Sequence, residues 1–435
     1  MRPLQTLKDL RSCKRGNALI MVAATAPLLI GASAIGLDSI SVTVAKRQLQ
    51  RVADSAAMAG ASARAQRQTT AAAEAAVDRD LSHNNNMILA TPRLVENAPS
   101  VGAFANNDRA VRVVLRATRS VPFISFFTGA TMDVEVEATA AAVPDGTYCV
   151  VTLENSGVTG VTFAGNATVN LGCGVATNST GASAITVNGN PNVTASPIAA
   201  RGGVPPASSF LGTTVVIPNA PMQLDPYASL ANPTLPTSCA NKTVVDTGKN
   251  DPFVTINPGC YRGLDLKGNV TLNPGTYFID GDELSFGSQA DVQGSGVTFV
   301  LTSSNIVSNP SSVAGLRMNG GASVRLTAPT TGPYANLLIY QDRRAGTSEA
   351  AADGETDASK ADKSHINGGS NSILDGAIYM PRAQVTFNGG SGLDVRCLRL
   401  VTLRVRFSGN TAMNNNCPTD DPRRGYAGLT IRLVG

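Results

Sequence analysis

The chain has 435 residues, 43% of them hydrophobic, with 42 Gly, no Trp and a formal net charge of +4. That length exceeds one ordinary domain, and few aromatics beside abundant Gly favour short strands and tight turns over a large helical core. The charge excludes a nucleic-acid binder: Arg2, Lys8, Arg11, Lys14 and Arg15 against Asp9 already account for +4, so the remainder is formally neutral and has no basic face for phosphates.

The first expected element is an uncharged stretch, residues 16–37, bounded by Arg15 and Asp38. Its 22 residues make a helix of roughly 33 Å, the thickness of a bilayer's hydrocarbon core, and its central Pro27 is tolerated better in a membrane helix than in a soluble one. The basic residues 1–15 predict a cytoplasmic N-terminus, with everything after Asp38 beyond the bacterial inner membrane, in the periplasm. Ala32-Ser33-Ala34 also fits signal-peptidase cleavage, which would release the remainder instead of tethering it.

Cysteine usage agrees with export. Cys13 lies on the cytoplasmic side as a free thiol, while Cys149, Cys173, Cys239, Cys260, Cys397 and Cys417 form an even set beyond the membrane. Proximity favours the pairs 149–173, 239–260 and 397–417, and no CxxC or Cys/His spacing suggests a metal site.

After the span, Val42, Ala45, Leu49, Val52, Ala56, Ala59 and Ala63 recur at spacings of three and four, one face of a helix over 38–66. Lys46, Arg47, Gln50, Arg51 and Asp54 take the other side. This Ala-rich seam suits either a stalk lying on its own domain or a surface for neighbouring subunits, including a second copy.

The order of these features (Gly16 and Asn17, Pro27, Asp38, then Leu49, Gln50, Ala53, Asp54, Ala56, Ala57 and Ala61) resembles the N-terminal segment of TadE/TadG-like Flp pilus assembly proteins. A pseudopilin's Gly-x-x-x-x-Glu processing site is absent, since Met21 stands where Glu would be. The resemblance therefore implies the longer TadG-like type: a permanent anchor working with other pilus-assembly subunits. The Asp-x-Ser-x-Ser metal motif of some members is missing, so no metal or other cofactor is implied.

Residues 67–82 read as a second Ala-rich helix, stopped by the run from His83 to Asn86. Strands 111–118 and 133–140 follow, with Arg112 and Arg116 on the outer face of one and Asp133, Glu135 and Glu137 on that of the other, which suits an antiparallel pair.

From Tyr148 a motif recurs: apolar-x-apolar-x-Gly-(Asn/Gly), at 161–166, 185–190, 264–269, 316–321, 385–390 and 405–410, with degenerate copies at 284–289 and 364–369. A strand, a Gly corner and a second strand, repeating at about twenty residues, describe one coil of a parallel β-helix. An antiparallel sandwich is the alternative architecture. The spacing lapses in two expected insertions, 191–260 (Pro-rich) and 341–365 (charged and solvated).

The repeat invites a polysaccharide-cleaving reading, which needs two carboxyl groups across the bond. Asp265, Asp280, Asp282, Glu283 and Asp375 are the carboxylates available. Asp280-Gly281-Asp282 reads as a turn, and the lack of Trp disfavours a sugar-stacking groove. Neither His83 nor His365 accompanies a nucleophile elbow, and the oxygens of 341–365 match no Ca²⁺ loop.

The expectation is a mainly β protein with N-terminal α: a cytoplasmic segment 1–15, a transmembrane helix 16–37, a helical stalk with a small strand pair at 38–147, and a parallel β-helix-like domain at 148–435. Its expected role is a non-catalytic envelope scaffold in Flp pilus assembly that supports adhesion. The rivals are a membrane-anchored enzyme or binder acting on envelope polysaccharide, and an adhesin released by cleavage after Ala34.

Overall fold

The computed structural model describes residues 16–66, 68–83, 89, 92–248, 250–347, 364–367, 372–389 and 392–434. They fall into two units, one comprising residues up to Val143 together with 431–435, the other Pro144–Thr430. The basic segment 1–15 with Cys13, and the charged stretch 348–363, lie outside the described residues.

In the first unit, helix α1 runs unbroken from Gly16 to Ala65, so span and stalk are one helix and Pro27 does not end it. Helix α2 (Thr70–His83) returns beside it. Strands β1 (Leu94–Asn97), β2 (Ala110–Ser120) and β3 (Thr131–Thr152) follow, with the short helix α3 (Pro122–Thr128) inside the β2–β3 connection. Strand β2 pairs antiparallel with both β1 and β3. The expected charge match is present: Arg116 pairs with Glu135, and Arg112 bridges Glu137 and Glu96.

The Ala-rich face of α1 is occupied by the chain itself. Leu49, Ala53, Ala56, Ala57 and Ala61 are buried against Val77 of α2, Val111, Val113 and Leu115 of β2 and Val134 and Val136 of β3. Small side chains let three elements meet closely: a Cβ on Gly60 would lie 2.9 Å from Val111 and 3.0 Å from Val77. Of the two uses expected for this seam, the stalk on its own domain is the one formed. Ile40, Val44 and Met58 of the same helix stay exposed.

The second unit is built on parallel ladders. One apolar row runs Val245, Leu266, Phe286, Met318, Ile366, Phe387, Phe407, Phe163, Val187, each residue in register with the next. Every copy of the motif, degenerate ones included, contributes a rung to this ladder. Two further parallel ladders complete each coil, as in Val254–Ile256 on Asn269–Leu272 and Gly259–Tyr261 on Gly275–Asp280. This is a three-faced β-helix with its core inside the coils; antiparallel pairing is confined to the first unit among the named strands described.

Coil order is not sequence order. The last winding, Gly392–Phe407 with Ala412–Asn415, stacks on the first: Leu400–Thr402 pairs with Val150–Thr152, Val405–Phe407 with Val161–Phe163, and Ala412–Asn414 with Thr168–Asn170. The chain thus enters the stack at an interior coil, winds outward to Val216–Ile217, crosses over, restarts at Thr243–Val245 and winds back. Phe387, Phe407 and Phe163 stack across this seam at centroid distances of 5.2 and 5.4 Å. Beside them Glu154 and Arg404 form a buried ion pair at 2.7 Å. Burial alone would raise the Glu154 pKa, but hydrogen bonds from Ser156 and Arg404, with the guanidinium's charge, hold it below its ordinary value.

The disulfides are Cys149–Cys173, Cys239–Cys260 and Cys397–Cys417, with sequence separations of 24, 21 and 20 residues. Each separation is close to one winding, so each bridge staples neighbouring coils. The expected insertion 191–260 needs correcting. Asn192–Thr194, Ile198–Ala200, Val216–Ile217, Thr243–Val245, Val254–Ile256 and Gly259–Tyr261 are all rungs. Their two- or three-residue lengths and flanking prolines hide the period.

Only the stretch between Ile217 and Thr243 crosses over, as a strap. Arg343 donates to the Tyr227, Ala228 and Leu230 carbonyls, and Arg344 to that of Pro233. Tyr379 donates to Asp225 at 2.8 Å, and Tyr227 hydrogen-bonds Tyr426. The insertion 341–365 also shrinks. Its first acid, Asp342, is fully buried and held by Thr302 and Arg344, while Ser364 and His365 belong to a rung.

Candidate functional site: the apolar helix and its anchoring carboxylate

The N-terminal part of α1 is long and apolar enough to cross a membrane and is scarcely covered by protein. Leu28 is 74% exposed, and Met21, Leu29 and Ile35 are similarly open. Its hydroxyls turn inward on the helix: Thr25 Oγ1 donates to the Met21 carbonyl and Ser33 Oγ to that of Leu29, both at 2.8 Å. That satisfies them without water, as a lipid environment requires.

Asp38 closes the apolar stretch and is only 3% exposed. Helix α3 begins Val121-Pro122 and has no local side-chain cap. With no N–H on Pro122, the first donors are those of Phe123 and Ile124. Asp38 accepts both, Oδ1 at 3.0 Å and Oδ2 at 2.9 Å. The carboxylate therefore supplies, from another helix, the cap that the local sequence lacks. An open groove lined by Ser41, Val42, Val44, Ala45, Gln48, Arg119 and Ser120 lies beside this junction.

The carboxylates considered for chemistry sit elsewhere, on the outside of the coils. Asp282 pairs with Lys242 at 2.9 Å, Asp265 with Lys267 at 3.1 Å, Glu283 with Arg317 at 3.0 Å and Asp375 with Arg423 at 3.0 Å. Asp280 accepts the Ser304 N–H at 2.6 Å. Asp265, Asp282 and Glu283 converge on Lys242, and its hydrogen bond to Asp282, followed by attraction to all three, raises its pKa. Each of the five carboxylates thus already has a partner within the fold.

Cys397, Cys417 and Asp421 bring ligand-type atoms within 4.8 Å of one another. The two sulfurs are joined as a disulfide and Asp421 is bound by Arg423. His83 Nδ1 lies 2.6 Å from the Arg79 carbonyl oxygen and 3.5 Å from Ser82 Oγ, and that hydroxyl itself donates to the same carbonyl at 2.7 Å; His365 stands in a rung opposite Arg317 and Thr386.

The site that the residues do assemble is therefore the apolar helix with its buried aspartate. Asp38 was visible in sequence as the end of the span, but its partners, 85 and 86 residues on, carried no signal. No curated protein and no solved structure matches the chain. Residues 16–63, almost the whole of α1, match the family model described as "Putative Flp pilus-assembly TadE/G-like", so the N-terminal segment is of the TadE/G-like type.

Proposed function

We propose that this protein is a membrane-anchored, non-catalytic scaffold of Flp pilus assembly whose β-helix stands in the periplasm and supports adhesion. The observation that carries the reading is the TadE/G-like match falling on a helix whose first half is apolar and exposed. Residues 16–37 anchor the chain in the inner membrane and provide the face for other pilus-assembly subunits. The N-terminal basic residues and the three disulfides support a cytoplasmic N-terminus and an exported repeat unit. The pairing of every candidate carboxylate supports a mechanical role over a hydrolytic one.

Deleting the gene abolishes Flp pili, and a copy carrying Leu28→Arg and Leu29→Arg fails to restore them. Normal pili in the deletion strain would defeat the proposal. Protease added outside spheroplasts digests the repeat unit but spares the N-terminus; the reverse pattern would overturn the orientation.

A further inference from the structure

Helix α3 sits where the apolar stretch of α1 ends, because Asp38 holds its first two free N–H groups. Beyond that cap it exposes Ile124 at 43% and Phe126 at 82%, and Met132 follows at 42%. Exposed apolar surface on α1 continues past Asp38 through Ile40 and Val44, and Val44 shares a groove with Arg119 and Ser120, which lead into α3. Arg119 and Gln48 line that groove and offer polar contacts on the side of the junction away from the apolar stretch. An apolar and aromatic tip beside a cation, fixed at the end of a membrane-length helix, has the chemistry of the bilayer's interfacial zone.

We infer that α3 is a second membrane contact, a foot resting on the outer surface of the bilayer with Ile124 and Phe126 at the headgroup–acyl boundary and Arg119 among lipid phosphates. The inference rests on the reading that residues 16–37 span the membrane. Its occupant is the lipid surface itself; another protein covering the same face is the competing outcome.

The chain has no Trp, so single-Trp variants report without background. The full-length protein is reconstituted in phosphatidylcholine–phosphatidylglycerol vesicles with or without bromine on the acyl chains. The variants are Leu29→Trp in the span, Phe126→Trp in α3 and Phe253→Trp in the repeat unit, with Ile124→Trp as a second α3 reporter should Phe126→Trp misfold. Leu29→Trp and the α3 reporter lose most of their emission to brominated lipid, and Phe253→Trp keeps its own. If Leu29→Trp is quenched while the α3 reporter is not, the foot is overturned and the anchor stands. If neither is quenched, both readings fall. Shielding of the α3 reporter from acrylamide without quenching by bromine would assign that face to protein and overturn the inference.

Discussion

Gly165 and Gly189 hold φ of 70° and 88° at corresponding corners of adjacent coils. A Cβ on Gly165 would approach the Gly409 carbonyl oxygen to 2.9 Å, and one on Gly189 would come equally close to that of Gly165. Gly165→Ala therefore combines left-handed backbone strain with a contact against backbone, and about 1–2 kcal/mol or more of stability is lost. Urea unfolding in detergent would show it as a lowered midpoint. The ion pair at the seam is more sensitive. Arg404→Met leaves Glu154 charged and buried, at a cost of about 3–5 kcal/mol. The acid dependence follows from the lowered Glu154 pKa. Its contribution is complete above the ordinary value of 4.5 and is lost as pH falls through the lower folded-state value. Unfolding midpoints measured down an acid series would fall for the native chain in that range, and less steeply for Glu154→Gln.

Among elements, α3 has its N-terminal donors satisfied by a residue of another helix. Asp38→Ala frees the Phe123 and Ile124 N–H groups and costs about 0.5–2 kcal/mol. Hydrogen exchange across residues 123–128 would quicken while that of β2 stayed the same. The stacked rings are a larger matter: Phe407→Ala opens a hole between Phe387 and Phe163 and costs about 3–5 kcal/mol. These rungs were legible in the sequence because each pairs an apolar-x-apolar run with a Gly corner. The Thr243–Val245 rung was missed because Asp246 and Thr247 follow it, so Thr247 stands at the corner that Gly268 takes in the next coil. Thr247 Oγ1 fills the space where a Cβ on Gly268 would lie. The seam of α1 was read partly: Leu49 and Ala56 lie at its centre, but the row Ala53, Ala57, Ala61 widens it because strands and α2 cover it from two sides.

At the scale of the molecule, the seam joins stretches far apart in the chain. Glu154 and Arg404 are separated by 250 residues, and a period read along the chain carries no trace of such a junction. The short-range disulfides were legible for the opposite reason, since each closes only about one winding. Two of them, Cys149–Cys173 and Cys397–Cys417, lie in the windings that meet at the seam, with the Asn415 amide reaching Cys173. Replacing Cys149 and Cys173 by Ser removes a 24-residue closure, and about 3 kcal/mol of stability is lost. Thermal melts of the double variant and the native chain, both under non-reducing conditions, would check it.

Because the polypeptide joins the stack at an interior coil, both extremities of the solenoid are made from the middle of the sequence, near Val216 and Thr243. Duplication or deletion of a winding there would alter the number of coils without touching the junction where the chain goes in and comes out. Only the strap between the two extremities would have to be re-cut to the new span. The number of coils and the closure between first and last windings thus depend on separate stretches of the chain.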